Sequence, residues 1–160
     1  MNKEELIEEI EIAFKDIKLE DGVGIFEADE YDARANELAI QEARKKDKSW
    51  WNEWKYIEDK YIKYYSDVMC FMDSKGIRWV LPAYMIFAIK NFEEGYWSID
   101  TTIYAIGRDA LGYDKLDLLT LEQKKVIAKF LQYILSVGED FIDSDFAKSA
   151  LNKEWDKYLK

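Results

Sequence analysis

Five carboxylates crowd one short stretch of this chain: Glu27, Asp29, Glu30, Asp32 and Glu37. Acidic oxygens at that density can chelate a divalent cation or draw in a basic partner. The Asp-x-Asp-x-Asp-Gly order of a calcium loop is missing. Glu58-Asp59-Lys60 and Glu122-Gln123-Lys124 match the Glu-x-Lys half of a nuclease motif. Both fall in segments with helical periodicity, and such triplets arise by chance in a chain rich in Glu and Lys. Gly22-Val23-Gly24 is a lone G-x-G with neither a third glycine nor a preceding strand, so it does not make a phosphate loop. Arg78 and Arg108 are isolated arginines near apolar helices, where they read as partners of a carboxylate or a helix C-terminus.

What is missing narrows the chemistry further. There is no histidine, which removes the commonest general base and the commonest zinc ligand, and with them His-based triads and Glu-x-x-His bundle sites. The single cysteine, Cys70, lies in the apolar run Val68-Met69-Cys70-Phe71; it excludes an internal disulfide and reads as a buried small hydrophobe. No catalytic residue, metal ligand set or cofactor is assigned.

The charge is unevenly distributed. Residues 1–42 hold four basic and fourteen acidic side chains, so the net charge of −10 resides in the first quarter, and residues 43–160 are neutral. Such a balance argues against nucleic acid, whose phosphates require a basic surface. It suits either a basic protein partner or a solvated acidic face.

The elements that must position these residues are helical. At 160 residues the chain has the length of one domain, and 49% hydrophobic with 35% charged residues suits a folded globule. Leu6, Ile7, Ile10, Phe14 and Ile17 space a helix over 3–17. Segment 25–48 carries only a thin stripe, with Tyr31, Ala35, Leu38, Ala39 and Ala43, which suits a mobile helix or one resting on a partner. With Ser49 as cap, Trp50, Trp54, Ile57, Tyr61, Tyr64 and Val68 step by three and four and predict one helix with a buried stripe. Trp51, Tyr56 and Tyr65 fall off that stripe. Asp73-Ser74-Lys75-Gly76 reads as a turn, 77–81 as a short extended segment, and Pro82 as the first turn of an apolar helix. Ser98 caps the next helix, and Gly112-Tyr113 makes a turn. Thr120 and Gln123 form a capping box, Gly138 closes that helix, and Asp143 or Ser144 opens the last. The expectation is an all-α single-domain bundle of six or seven helices. The longest mainly apolar stretch, 79–89, is too short for a bilayer. An acidic start without an apolar run is no secretory signal, which points to the cytoplasm.

The stretch Cys70-Phe71-Met72-Asp73-Ser74-Lys75-Gly76-Ile77-Arg78-Trp79-Val80-Leu81-Pro82-Ala83-Tyr84-Met85 resembles a small uncharacterised bacterial family with an F-L-x-x-x-G-x-R-[YW]-x-L-P-A-[YF]-[ML] signature. Leu119 to Gln123, followed by Phe130-Leu131 and Tyr133, is similar to its second block. The resemblance covers roughly residues 5–137 and implies no activity and no site residue. By analogy of type, small acidic proteins of this kind look like immunity proteins of toxin systems.

The leading expectation is therefore a binding protein, an immunity-type inhibitor that masks a toxin's active site. Glu27, Asp29, Glu30, Asp32 and Glu37 would steer a basic surface, and the off-stripe aromatics Trp51 and Tyr56 would anchor it. A metal-dependent carboxylate enzyme and a structural or regulatory homo-oligomer are the alternatives.

Overall fold

The computed structural model describes residues 1–51, 53–107 and 115–160, and within them the chain is all-α. Among the described residues eight α-helices form, rather than six or seven: α1 Lys3–Phe14, α2 Ile25–Asp32, α3 Glu37–Trp50, α4 Asp59–Tyr64, α5 Ser74–Asn91, α6 Trp97–Gly107, α7 Leu121–Gly138 and α8 Ser144–Ala150. Short 3-10 turns fill several connections, and a π turn, Leu151–Trp155, continues α8. Arg108 and the Gly112-Tyr113 turn lie outside the described residues. Among the described residues no helix is long and apolar enough to cross a membrane.

α5 is the axis of the core. Trp79, Val80, Leu81, Tyr84, Met85, Ala88 and Ile89 are all buried on it, and α1, α6 and α7 pack around it. The helix starts earlier than the sequence suggests. Asp73 is its N-cap, so the 74–76 turn and the extended 77–81 segment are both helical. Pro82 therefore lies in mid-helix, where it cannot donate to the Arg78 carbonyl. Burial on every side of this helix outweighs that lost bond.

The single helix expected from 49 to 68 does not form. α3 runs through Ser49, whose hydroxyl donates to the Lys46 carbonyl at 3.1 Å, and ends at Trp50. A 3-10 turn, Trp54–Tyr56, and α4 follow. Tertiary demand overrides the periodicity here. An isolated antiparallel bridge joins Lys18 to Glu53, with a 2.7 Å ion pair between their side chains, and holds this strip of chain against the end of α1. Trp54 then turns inward so that its indole N–H donates to the Phe14 carbonyl at 3.0 Å.

That bond exemplifies how helix ends are closed. The last carbonyls of a helix have no partner within it. α1 finds one in Trp54 and another in Gln123, whose Nε2 donates to the Ala13 carbonyl at 3.1 Å. The Ile106 carbonyl of α6 accepts from the Trp155 indole at 3.2 Å. Gln123 also completes the capping box with Thr120 that opens α7, as its spacing predicts. Gln123→Ala is expected to lower stability by about 1–3 kcal/mol, since it uncaps α7 and strands a half-buried carbonyl of α1. Urea unfolding measures this, and a loss within error of zero would refute the double role.

Two further endings differ from expectation. Gly138 is the last residue of α7 but is followed by Glu139 in right-handed geometry, and its bare Cα faces the Phe92 ring. Ser98 lies inside the first turn of α6, buried, instead of capping it. Asp143 caps α8, accepting from the Phe146 N–H at 3.1 Å and from the Tyr104 hydroxyl at 2.7 Å.

Candidate functional site

The acidic segment splits into two helices that pack on each other, α2 and α3. Asp47 of α3 makes that packing possible. It is buried, and its two carboxylate oxygens accept from the backbone N–H groups of Phe26 and Glu27, each at 2.9 Å. It thus caps α2 from another helix, because Gly24, at the N-cap position, has no side chain to do so. A Cβ on Gly24 would lie 2.5 Å from the Asp47 Cγ, so only glycine leaves room for the carboxylate. Burial pushes the Asp47 carboxyl up to about 6, and the two N–H bonds oppose that rise.

Glu27 is the second inward carboxylate. It is 2% exposed and takes a bidentate pair of bonds from Arg44, at 3.1 and 2.7 Å, with the Tyr31 hydroxyl donating at 3.0 Å. Glu27 in turn holds the Arg44 guanidinium well above its ordinary range. This carboxylate is committed inside the fold, which corrects its expected place on a binding surface.

Beside this pair runs a groove of about 240 Å³. Ala39 and Ala43 of α3 leave the space, and Phe26 of α2 and Tyr65 supply aromatic walls. Asp29, Glu30 and Glu42 contribute carboxylates, and Lys46 contributes an ammonium. Burial raises the Asp29 carboxyl above its ordinary value, and the nearby Glu30 and Asp32 raise it further. Lys46 Nζ sits 4.0 Å from the centre of the Phe26 ring and 4.4 Å from that of Trp50. Trp50 is 49% exposed and meets Phe26 edge-on at 5.1 Å. Tyr61 and Tyr65 approach Phe26 edge-on too, and Tyr64, 78% exposed, packs on Tyr65 at 4.9 Å. An acidic groove thus opens beside an exposed aromatic band.

The other expected site residues lie outside the groove lining. Asp32 and Glu37 are exposed at the end of α2 and the start of α3, and Glu37 accepts from Gln41. Tyr56 is exposed in its 3-10 turn, with Lys55 above its ring. Trp51 is 3% exposed and stacked on Phe26 at 4.6 Å, so the outward tryptophan is its neighbour Trp50. The helix break after Trp50 exchanges their roles. Glu42, Lys46 and Phe26 are not among the expected site residues, and Tyr65 is expected only as an aromatic off the buried stripe. The signal for α3 was in the spacing, since Ala39, Glu42, Ala43, Lys46 and Trp50 recur by three and four on one helix face.

The signature segment docks on this unit from below. Asp73 Oδ1 accepts from the Val23 N–H at 3.0 Å and the Gly76 N–H at 2.8 Å, and Lys75 bonds Asp21 at 2.5 Å. The loop Gly22-Val23-Gly24, which leads into α2, is thereby fixed to the first turn of α5.

The chain belongs to DUF6714, a family of unknown function. The family model matches residues 2–159, so the match runs through the tail beyond the 5–137 expected from the resemblance. No curated protein and no solved structure matches the chain.

A second cavity, of about 250 Å³, lies between the 3-10 turn Val68–Phe71 and α6 in this DUF6714 member. Its polar groups are turned to each other. Lys115 donates to the Cys70 carbonyl at 2.9 Å, the Cys70 thiol faces Asp67 at 3.5 Å, and Thr101 donates to the Ser66 carbonyl. Cys70 itself is only half-buried, which corrects the expectation of full burial. Among the described residues no three Asp, Glu or Cys side chains come together as a metal-holding group.

Proposed function

We propose that this protein is a binding module that masks a basic protein surface, in the manner of an immunity-type inhibitor of a bacterial toxin. The observation that carries the reading is the groove of α2 and α3, where Asp29, Glu30 and Glu42 stand beside Phe26, Tyr65 and the exposed Trp50. None of these three carboxylates has a cation within ion-pair distance among the described residues. Unpaired carboxylates steer a basic partner over distance, and exposed rings anchor it on contact. The surplus of acidic residues in the first quarter adds to the steering. Inhibition is steric: the acidic face covers the cationic residues that line a toxin's active site.

The test is the triple variant D29K/E30K/E42K, made at exposed or half-buried positions so that the helices remain. Its association rate with a lysine-rich peptide at low salt is expected to fall about tenfold or more, and the wild-type rate to fall steeply as salt is raised. In cells, the wild type is expected to restore growth against a toxin encoded beside its gene, and the variant to fail. Equal rates for both proteins would remove the groove from the account, and no protection by the wild type would remove the inhibitor reading.

A further inference from the structure

Lys46 is out of place for an ordinary surface lysine. It lines a groove with three unpaired carboxylates, yet among the described residues none lies within ion-pair distance of its ammonium. The ammonium rests instead on two ring faces, Phe26 at 4.0 Å and Trp50 at 4.4 Å. Those rings are themselves held: Phe26 is stacked on buried Trp51, and Trp50 is met edge-on by Tyr61 at 5.8 Å. A fixed pair of ring faces next to carboxylates is the arrangement that binds an ammonium group.

We propose that Phe26 and Trp50 form a seat for a lysine side chain of the partner, and that Lys46 fills this seat as an internal stand-in until it is displaced. The inference rests on the binding role proposed above and names the group bound. Four features of the site fit a partner lysine. The occupant already present is an ammonium on a flexible stem, so the seat has the size and polarity of one. The groove remains under-neutralised with Lys46 in it, since three carboxylates face one cation. Lys46 is exposed, so its departure breaks no packing inside the fold. Arg44, two residues earlier on α3, is bound to Glu27 and cannot serve as the plug. Displacement frees the Lys46 ammonium to reach water and brings the partner's ammonium between the rings and the carboxylates. An exposed contact of this kind is worth a few-fold in affinity, so Lys46 competes without closing the site.

The experiment compares the wild type with Lys46→Met and Lys45→Met in titrations with an oligolysine peptide. Methionine keeps an unbranched apolar stem. Lys45 is an exposed neighbour on the same helix, so its loss changes the net charge identically without touching the seat. Lys46→Met is expected to bind the peptide roughly two- to fivefold more tightly than Lys45→Met. Addition of the peptide to the wild type is expected to shift the ring-proton NMR signals of Trp50 and Phe26. Equal affinities for the two variants, or weaker binding by Lys46→Met, would overturn the stand-in while leaving the groove as a basic-partner site. Failure of all three proteins to bind the peptide would overturn the binding role itself, and the seat with it.

Discussion

Gly76→Ala is expected to destabilise the protein by at least about 3 kcal/mol, a cost at the upper end of what overpacking inflicts. A Cβ at this position would sit 2.0 Å from the Val23 carbonyl oxygen and 3.0 Å from the carbonyl carbon. Both are backbone atoms and cannot rotate away. The loop is also tethered, because the Val23 N–H is bonded to Asp73 in the cap of the same helix. To admit a methyl group, the loop must lift off α5, lose that bond and carry the start of α2 with it. For a chain of this size the loss corresponds to a fall in Tm of about 6–12 °C. Thermal and urea unfolding measure it, and an unchanged midpoint would show that the loop is not fixed to α5. Because Gly24 and Asp47 position α2 from this loop, the variant is also expected to lose peptide binding in the groove.

Asp47→Asn is expected to cost about 2 kcal/mol at pH 7. Both Asp47 oxygens accept a backbone N–H, and an asparagine offers one acceptor and turns an amide N–H toward the other donor. The pH dependence identifies the group. The folded protein holds the Asp47 carboxyl at about 6, above its ordinary value of 3.8, because burial disfavours the charge. The native state therefore binds this proton more tightly than the unfolded chain does. The stability that Asp47 contributes is full below about pH 4 and is lost as pH rises through about 6. The stability gap between wild type and Asp47→Asn is expected to narrow over that window and stay constant above it. Asp21, lowered by Lys75, and Glu53, lowered by Lys18 and Lys55, contribute in the opposite sense as pH falls. They are common to both proteins and cancel in the difference. A gap that does not change between pH 4 and 7 would refute the assignment.

Elements fixed by local chemistry were legible from the residues alone. The Thr120 capping box, the Leu6–Ile10–Phe14 face of α1 and the Asp143 cap of α8 all stand where their spacing puts them. Elements decided by a distant partner were not. The stripe from Trp50 to Val68 is periodic, yet the chain leaves the helix there because Trp54 is drawn to the end of α1. Gly76 reads locally as a turn residue, whereas its reason is the Val23 carbonyl lying against it. The site divides along the same line. Asp29 and Glu30 line the groove, whereas Glu27 has no distinguishing mark in sequence until Arg44 is seen to hold it. Lys46 belongs to a basic run that reads as a helix C-terminus satisfying its dipole, and only the folded position of Phe26 gives it another role.

The borrowed caps bear on the order in which this chain can become structured. α1 is synthesised first, but the donors for its final carbonyls come 40 residues later in Trp54 and 110 residues later in Gln123. The Ile106 carbonyl of α6 takes its donor from Trp155, 49 residues downstream. The Phe14 carbonyl has a local donor as well in the Ile17 N–H at 3.1 Å, but the Ala13 carbonyl takes its side-chain donor only once the start of α7 has been made. The closing of this helix end thereby couples the first helix to the seventh.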